Sequence, residues 1–291
     1  GLRFGWNADI DYTMDVSFVT RKVIALWSLL ILHPEVLYIL YTKKSVMHSS
    51  LRYAYISEQI SLIINELVFS ILTRPYPLFP FSGLHCDGPL ARGEMPKTDL
   101  MFLVGFSVVV DVPSFVFLIM RMHTATATAA GSSIRLSNAA QVIVMVVTTS
   151  LMLLNVITFG SLARDATYYD KMLQIPEISA LSSRGGTNVL FGVPGDLGVF
   201  KIEFYILVAT ICICLPLPSF LTAHARCLIA NSRSAISERA QQAQERLSRV
   251  LFIQILEFVV FYLLPLVLVF TLMYIDVRHW PDWLMAFLRP L

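Results

Sequence analysis

Six long apolar runs limit what this chain can fold into. A helix needs about 20 apolar residues to cross the hydrocarbon core of a bilayer, whereas a soluble helix keeps its apolar residues on one face. The runs lie at residues 23–42, 53–72, 100–120, 139–160, 202–223 and 250–275. Of the 291 residues, 56% are hydrophobic and only 14% are charged, and the mean hydropathy is +0.68. This composition excludes an ordinary soluble domain and predicts a membrane protein.

The runs predict an all-α membrane protein in which residues 1–291 form one domain. Helices satisfy their own backbone hydrogen bonds, so they are the natural element for each of the six runs. The final stretch, VRHWPDWLMAFLRPL, is too short and too interrupted to span, and we interpret it as the start of a truncated seventh helix. The stretch GGTNVLFGVPGDLG predicts a short strand or hairpin, because extended residues lie between turn signals.

The basic residues predict the orientation. Lys and Arg are concentrated in cytoplasmic loops. The short connections after the first, third and fifth runs carry Lys43, Lys44, Arg52, Arg121, Arg135, Arg226, Arg233, Arg239, Arg246 and Arg249. The connections on the other side carry a similar number, spread over longer loops and mixed with acids, and Arg21 and Lys22 oppose the assignment. The density of the five-Arg connection favours an N-terminus outside the cell.

Acidic side chains inside the runs are candidates for function. Ionisable groups at membrane depth are costly, and they usually face a bundle interior or a water-filled cavity. Glu66 and Asp111 are candidates for counter-ions of an amine ligand or for switch groups. The alternative is that each is a hydrogen-bonded carboxyl that holds helices together. Glu35, Glu58 and Glu257 are further acids in the runs.

Prolines and one basic connection suggest conformational change and docking. Pro34, Pro113, Pro216, Pro218 and Pro265 each remove a helix hydrogen bond, which predicts kinks. Kinked bundles suit transporters and receptors, although membrane helices also simply tolerate proline. The connection RSAISERAQQAQERLSRVLF predicts a helical extension of the sixth run. It is either a docking surface for a cytoplasmic protein or a solvated helix end near lipid head groups.

Motifs for other functions are absent from the sequence. There is no H-E-x-x-H, no G-x-S-x-G and no P-loop, so we expect no enzyme and no cofactor. His85, Cys86 and Asp87 are consecutive, and adjacent side chains rarely converge on one ion, so we expect no metal site there. A net charge of +2 implies no strong attraction to nucleic acid.

One segment carries a family resemblance. The run YILYTKKSVMHSSLRYAYISEQISLIINELVFSILTRPYPLFPFSGLHCDGPL resembles the nematode serpentine chemoreceptors of classes H and I, in the Str superfamily. The matching positions are Lys44, Ser45, Met47, Glu66, Pro75, Pro80, Gly83 and Gly88. A looser match, QERLSRVLFIQ, runs through Leu247, Leu251 and Gln254, with Pro265 further on. The resemblance extends over about residues 16–274.

The resemblance implies a seven-helix receptor in the plasma membrane of sensory cilia. Such a receptor binds a small odorant or pheromone within the bundle and couples to a heterotrimeric G protein. For the ligand cavity we predict Glu66, Asp111 and Gln254. For G-protein coupling we predict a set of arginines near the inner ends of the helices: Arg121, Arg239, Arg246 and Arg249.

The chain also departs from receptor patterns, and alternatives remain. Glu257 stands where the family often has Pro, and no Asp-Arg-Tyr of the rhodopsin type follows the third run. No Cys pair is available to link the third run to the second outer loop. A transporter or channel subunit that uses the intramembrane carboxylates is the alternative, although no internal repeat between halves is visible. A structural membrane protein without a ligand is a third possibility.

Overall fold

The structure is a computed structural model that describes residues 8–42, 49–78, 82–93, 95–162, 185–192, 199–231, 249, 253, 256 and 258–274. Five of its helices are long and apolar enough to cross a membrane, and we call them the first to fifth spans. They are Phe18–Thr42, Ser49–Thr73, Lys97–Ala129, Asn138–Ser161 and Phe200–Asn231. They correspond to the first five predicted runs, and the third and fifth extend well past the predicted ends. The protein is therefore mostly helical, as predicted.

The sixth predicted run is described only in part. A π-helix, Phe258–Leu263, continues into the α-helix Leu264–Tyr274, which contains Pro265. The residues predicted to start a seventh helix lie outside the described part of the chain, as does Glu257. The six-plus-one arrangement therefore stays a prediction.

Most spans are interrupted rather than continuous. The first lies in Ala8–Trp27, the π-helix Ser28–Leu32 and His33–Thr42, and the second in Ser49–Asn65 and the π-helix Glu66–Thr73. The third breaks between Lys97–Val109 and Asp111–Ala129, and the fifth between Val199–Cys214 and Pro216–Asn231. Three of these interruptions lie next to a proline: Pro34, Pro113 or Pro216. Proline lacks the N–H that an α-helix needs, so a local change of helix geometry is expected there.

The third span is the centre of the bundle. In its most apolar stretch of 18 residues, 56% of the residues are buried, against 17–28% in the corresponding stretches of the other four spans. It packs against the second, fourth and fifth spans. Large apolar side chains on the outer faces, such as Val142, Ile157 and Phe220, are exposed. An apolar exterior of this kind is what lipid tails solvate, so the exposed faces agree with the membrane prediction.

A three-stranded antiparallel sheet joins the two long loops at one end of the bundle. Its strands are β1 (Pro75–Pro77), β2 (Ser82–Cys86) and β3 (Thr187–Gly192), in the order β1-β2-β3. Strand β3 confirms the short extended piece predicted in the second loop. The sheet itself is a departure from the expected all-α architecture. It forms because the proline-rich stretch after the second span cannot continue a helix and leaves extended backbone to be paired.

The register of the sheet explains two of the motif glycines. Gly83 pairs with Leu190, and a Cβ atom at Gly83 would lie 2.7 Å from the Val189 carbonyl oxygen. A Cβ atom at Gly88 would overlap the backbone of Leu72 at the end of the second span. Only glycine allows backbones to approach this closely. Pro75 lies in β1, whereas Pro80 lies outside the described residues.

Cys86 lies at the centre of this assembly as a free thiol. It pairs with Pro75 on one side and Thr187 on the other, and its side chain is fully buried. Burial raises the pKa of the Cys86 thiol to about 12, because the charged thiolate is poorly solvated there. Cys86 is therefore a packing residue of the sheet rather than a reactive thiol.

Candidate functional site

Two adjoining cavities lie between the third, fourth and fifth spans. The larger holds about 720 Å³ of empty space, including its open side, and the smaller about 320 Å³. They share the lining residues Val108, Val109, Asn155 and Leu207. Most of the larger wall is aliphatic or aromatic, which is typical of sites for small apolar ligands.

The cavities coincide with the breaks in two helices. Val109 and Val112 line the larger cavity on either side of the break in the third span, and Cys214 and Leu215 do so at the break in the fifth. Pro218, one turn further on, also lines it. An interrupted helix cannot pack its neighbour as closely as a regular one. The prolines of the third and fifth runs therefore account locally for the space between them.

Two polar side chains lie in these otherwise apolar surroundings. Asn155 is 3% exposed, and its Nδ2 donates to the Leu151 carbonyl oxygen at 2.7 Å and to Thr210 Oγ1 at 2.8 Å. Its Oδ1 is buried and has no hydrogen-bond partner among the described residues. Glu203 is 2% exposed, lines the smaller cavity, and accepts a hydrogen bond from Thr158 Oγ1. The fourth and fifth spans are thus joined by two polar contacts next to empty space.

An aromatic cluster closes the end of the smaller cavity that faces the sheet. Phe191 of β3 stacks on Phe200 with ring centroids 5.6 Å apart, and Phe200 stacks on Phe270 at 5.5 Å. Phe159 contacts both Phe191 and Phe270. Phe159 and Phe270 also line the smaller cavity. The second long loop therefore acts as a cover for the cavity through the side chains of β3.

The predicted residue Glu66 lies elsewhere, between the first and second spans. Its Oε1 accepts a hydrogen bond from Ser28 Oγ at 2.9 Å, and its Oε2 lies 3.2 Å from His33 Nε2. His33 Nδ1 contacts Gln59 Nε2. Glu66 therefore links the first span to the second, and it does not line either cavity.

Asp111 is the centre of a second polar cluster, between the second and third spans. Asn65 Nδ2 donates to Asp111 Oδ2 at 2.5 Å, and Ser61 Oγ lies 2.6 Å from Ser114 Oγ. Asp111 is 4% exposed and also does not line the two cavities. These contacts favour the interpretation that Asp111 holds helices together, while its predicted ligand role stays a prediction. Gln254, the third predicted cavity residue, lies outside the described residues.

The predicted coupling residues are only partly described. Arg121 is half-buried, with its guanidinium 5.0 Å from the centre of the Phe117 ring. Two residues further on, His123 Nε2 lies 2.8 Å from His224 Nδ1, which joins the third and fifth spans at this end. Arg249 is exposed, whereas Arg239 and Arg246 lie outside the described part.

Five long apolar helices with apolar outer faces are those of a multi-pass membrane protein. The family model described as serpentine type 7TM GPCR chemoreceptor Sri matches residues 9–287. Because this match covers nearly the whole chain, the protein belongs to that serpentine chemoreceptor family. Comparisons with curated proteins and with solved structures gave no match. The family is a receptor class, so neither an enzyme nor the transporter or channel alternative is favoured.

Asn155 and Glu203 are absent from the site residues predicted from the sequence. Glu203 is the second residue of the predicted fifth run, where it resembles an ordinary polar boundary residue. The helix begins at Val199, so Glu203 lies one turn inside it and is buried. Asn155 is a single amide in the apolar stretch SLMLLNVITF. An isolated amide within a membrane span often forms a hydrogen bond between helices, and this pattern would have marked Asn155 as a candidate.

Proposed function

We propose that this protein is a chemosensory receptor that binds a small, mainly apolar odorant or pheromone in the cavity between the third, fourth and fifth spans. The observation that carries the proposal is the larger cavity itself, which lies inside the bundle and has aliphatic and aromatic walls. Walls of this kind suit a small, mainly apolar molecule. Family membership supports the chemosensory role.

The interrupted helices supply a mechanism for signalling. A ligand shifts a bundle only by binding one of its states more tightly than another. Contacts near Val109 and Leu215 lie beside the breaks in the third and fifth spans. A small rotation of either half-helix at its break would change the contact between His123 and His224 at the far end of the same two spans. Ligand binding would thus be coupled to the spacing of the inner helix ends.

The partner we propose at the inner ends is a heterotrimeric G protein. The arginines after the fifth run would give that end a positive field, and Arg249 is exposed. Arg121, Arg239, Arg246 and Arg249 are the proposed coupling residues. In this arrangement the protein lies in the plasma membrane of sensory cilia, with the N-terminus and the three-stranded sheet outside.

Filling the cavity should weaken the response to ligand. Ile211 lines the larger cavity, whereas Ile213, two residues on, is 55% exposed on the outer face of the fifth span. Ile211→Trp should raise the concentration of agonist for half-maximal signalling by about tenfold or more, because overpacking a site costs about 1–3 kcal/mol. The measurement is a calcium response in cells, with an agonist found by screening small volatile compounds. Ile213→Trp is the matched control, and equal losses in the two variants would contradict the cavity assignment.

Reversing the charge of the inner arginines should uncouple the receptor. The double variant Arg246→Glu, Arg249→Glu should retain agonist binding but lose most agonist-stimulated nucleotide exchange on the G protein, because the positive docking field is inverted. The control is Lys22→Glu, Lys201→Glu, which makes the same change in charge at two exposed residues on the proposed outer side. Intact signalling in the arginine variant would show that these residues do not couple.

Thiol labelling should establish the orientation. Arg92 is exposed beside the sheet, and Ser133 is exposed in the connection between the third and fourth spans. In a background with Cys212→Ala and Cys227→Ala, a membrane-impermeant maleimide should label Arg92→Cys on intact cells. It should label Ser133→Cys only after permeabilisation. The reverse pattern would place the N-terminus inside.

A further inference from the structure

We propose that the cavity selects ligands that are amines: an apolar body with one primary or secondary amino group, whose ammonium hydrogens lie between the Glu203 carboxylate and Asn155 Oδ1. This inference rests on the proposed function, since it names the class of ligand for the same cavity. It assigns binding roles to two residues, in place of the predicted Glu66 and Asp111.

The first argument is the inventory of donors and acceptors around the cavity. Both amide hydrogens of Asn155 are already used, one by the Leu151 carbonyl oxygen and one by Thr210 Oγ1. Because a backbone carbonyl can only accept, this contact fixes which end of the amide is the nitrogen. The unpartnered atom of Asn155 is therefore an oxygen, which can only accept a hydrogen bond. A ligand that forms a hydrogen bond with this oxygen must carry a donor group.

The second argument is the charge of Glu203. Its side chain is buried and lines the smaller cavity together with Gly105, Phe159 and Phe270, and its one hydrogen-bond partner in the described part of the chain is Thr158. Among the described residues, the side-chain ion pairs are His33 with Glu66 and Arg92 with Asp87. Neither of these pairs involves Glu203. A buried carboxylate without a counter-charge is costly, and a cationic ligand is the group that would compensate it. An ammonium donates to both acceptors and also carries that charge.

The third argument is the placement of the polar groups. Asn155 lines both cavities, whereas Glu203 lines only the smaller one, at the end covered by Phe191, Phe200 and Phe270. An amino group in the smaller cavity would leave the larger, apolar cavity for the rest of the molecule. Most of the other residues that line the smaller cavity are apolar, and surroundings of low dielectric strengthen the attraction of a carboxylate to a cation. The two cavities thus match the two ends of an amphipathic amine.

Thr158 positions the carboxylate for this role. Its hydroxyl also lies within hydrogen-bond distance of the Leu154 and Asn155 carbonyl oxygens. When its hydrogen is directed to Glu203 Oε2, Oε1 is left for a ligand. Thr158 and Asn155 lie three residues apart on the fourth span, so the helix that carries the Asn155 acceptor also contacts the Glu203 carboxylate of the fifth span. Thr158 is therefore a positioning residue, and it does not line either cavity.

The test measures binding by the purified full chain in lipid nanodiscs, without a G protein. The probes are primary amines with linear, branched and aromatic bodies of five to nine carbons, each with the alcohol and the carboxylate of the same skeleton. Binding is detected as a rise in unfolding temperature and quantified by titration. We expect at least one amine to bind at least about tenfold more tightly than its alcohol, the ratio expected for a hydrogen bond to a charged group, and its carboxylate not to bind.

Variants then locate the amino group. Glu203→Gln has nearly the same shape and should weaken the best amine by at least about tenfold, and Asn155→Leu should weaken it as well. Glu35→Gln makes the same chemical change at an exposed residue of the first span and should have no effect. The unfolding transition of each unliganded variant shows that it is folded. If Glu203→Gln does not fold, the Thr158→Val variant replaces it as the test. Thr158→Val should lower the affinity for the amine and leave the affinity for the alcohol unchanged.

Several outcomes would overturn the proposal. They are tight binding of alcohols or carboxylates with no preference for amines, no binding by any amine, full amine affinity in Glu203→Gln, or loss of affinity in Glu66→Gln alone. Alcohol binding that Ile211→Trp removes would reject the amine and retain the cavity as the ligand site. Signalling by an agonist that Ile211→Trp does not affect would instead reject the proposed function.

Discussion

Hydrocarbon offers no hydrogen-bond partners to the backbone, and the rest of this structure follows from that constraint. Each unpaired N–H or C=O group costs several kcal/mol in a membrane, so the spans remain helical even where prolines remove a donor. At the break in the third span the Val110 N–H still donates to the Phe106 carbonyl oxygen at 2.9 Å, and at the break in the fifth the Leu215 N–H donates to that of Ile211. The breaks are therefore local, and they leave space between helices that are otherwise regular.

The buried carboxyls divide into two groups with different surroundings. Glu66 and Asp111 contact polar side chains of neighbouring spans: Ser28 and His33 for Glu66, and Asn65 for Asp111. Asp111 Oδ1 has no hydrogen-bond partner among the described residues, but neither acid lines either of the two cavities. Glu203 has one such partner and faces empty space. Polar side chains that satisfy one another stabilise helix packing, whereas an acceptor beside a cavity is available to a ligand. This difference in position relative to the cavities is why the proposed ligand site lies at Glu203.

Apolar length was sufficient to predict the first five spans, because the bilayer fixes how long such a helix must be. The strand near Val189 was also predictable, from turn signals on either side. The pairing of β1 with β2 was not, since the sequence shows that Pro75 and Pro77 end a helix but not which backbone pairs with them. The neighbours of Glu66 and of Glu203 could not be predicted either. Both look like acids in apolar runs, and only the packing of the spans shows which one faces a cavity.

The central claim is that the sheet holds the second long loop over the ligand cavity, with Phe191 as part of the cover. The register places Thr187 directly opposite Cys86, while Asn188 pairs with His85 on the other face. Thr187→Cys should therefore form a disulfide with the native Cys86 when the chain folds in an oxidising medium, before burial makes the Cys86 thiol unreactive, because cross-strand neighbours are close enough for that bond. Asn188→Cys should remain reduced. Mass spectrometry of the oxidised full chain measures both. A disulfide in the Asn188→Cys variant, or none in the Thr187→Cys variant, would contradict the register and with it the cover over the cavity.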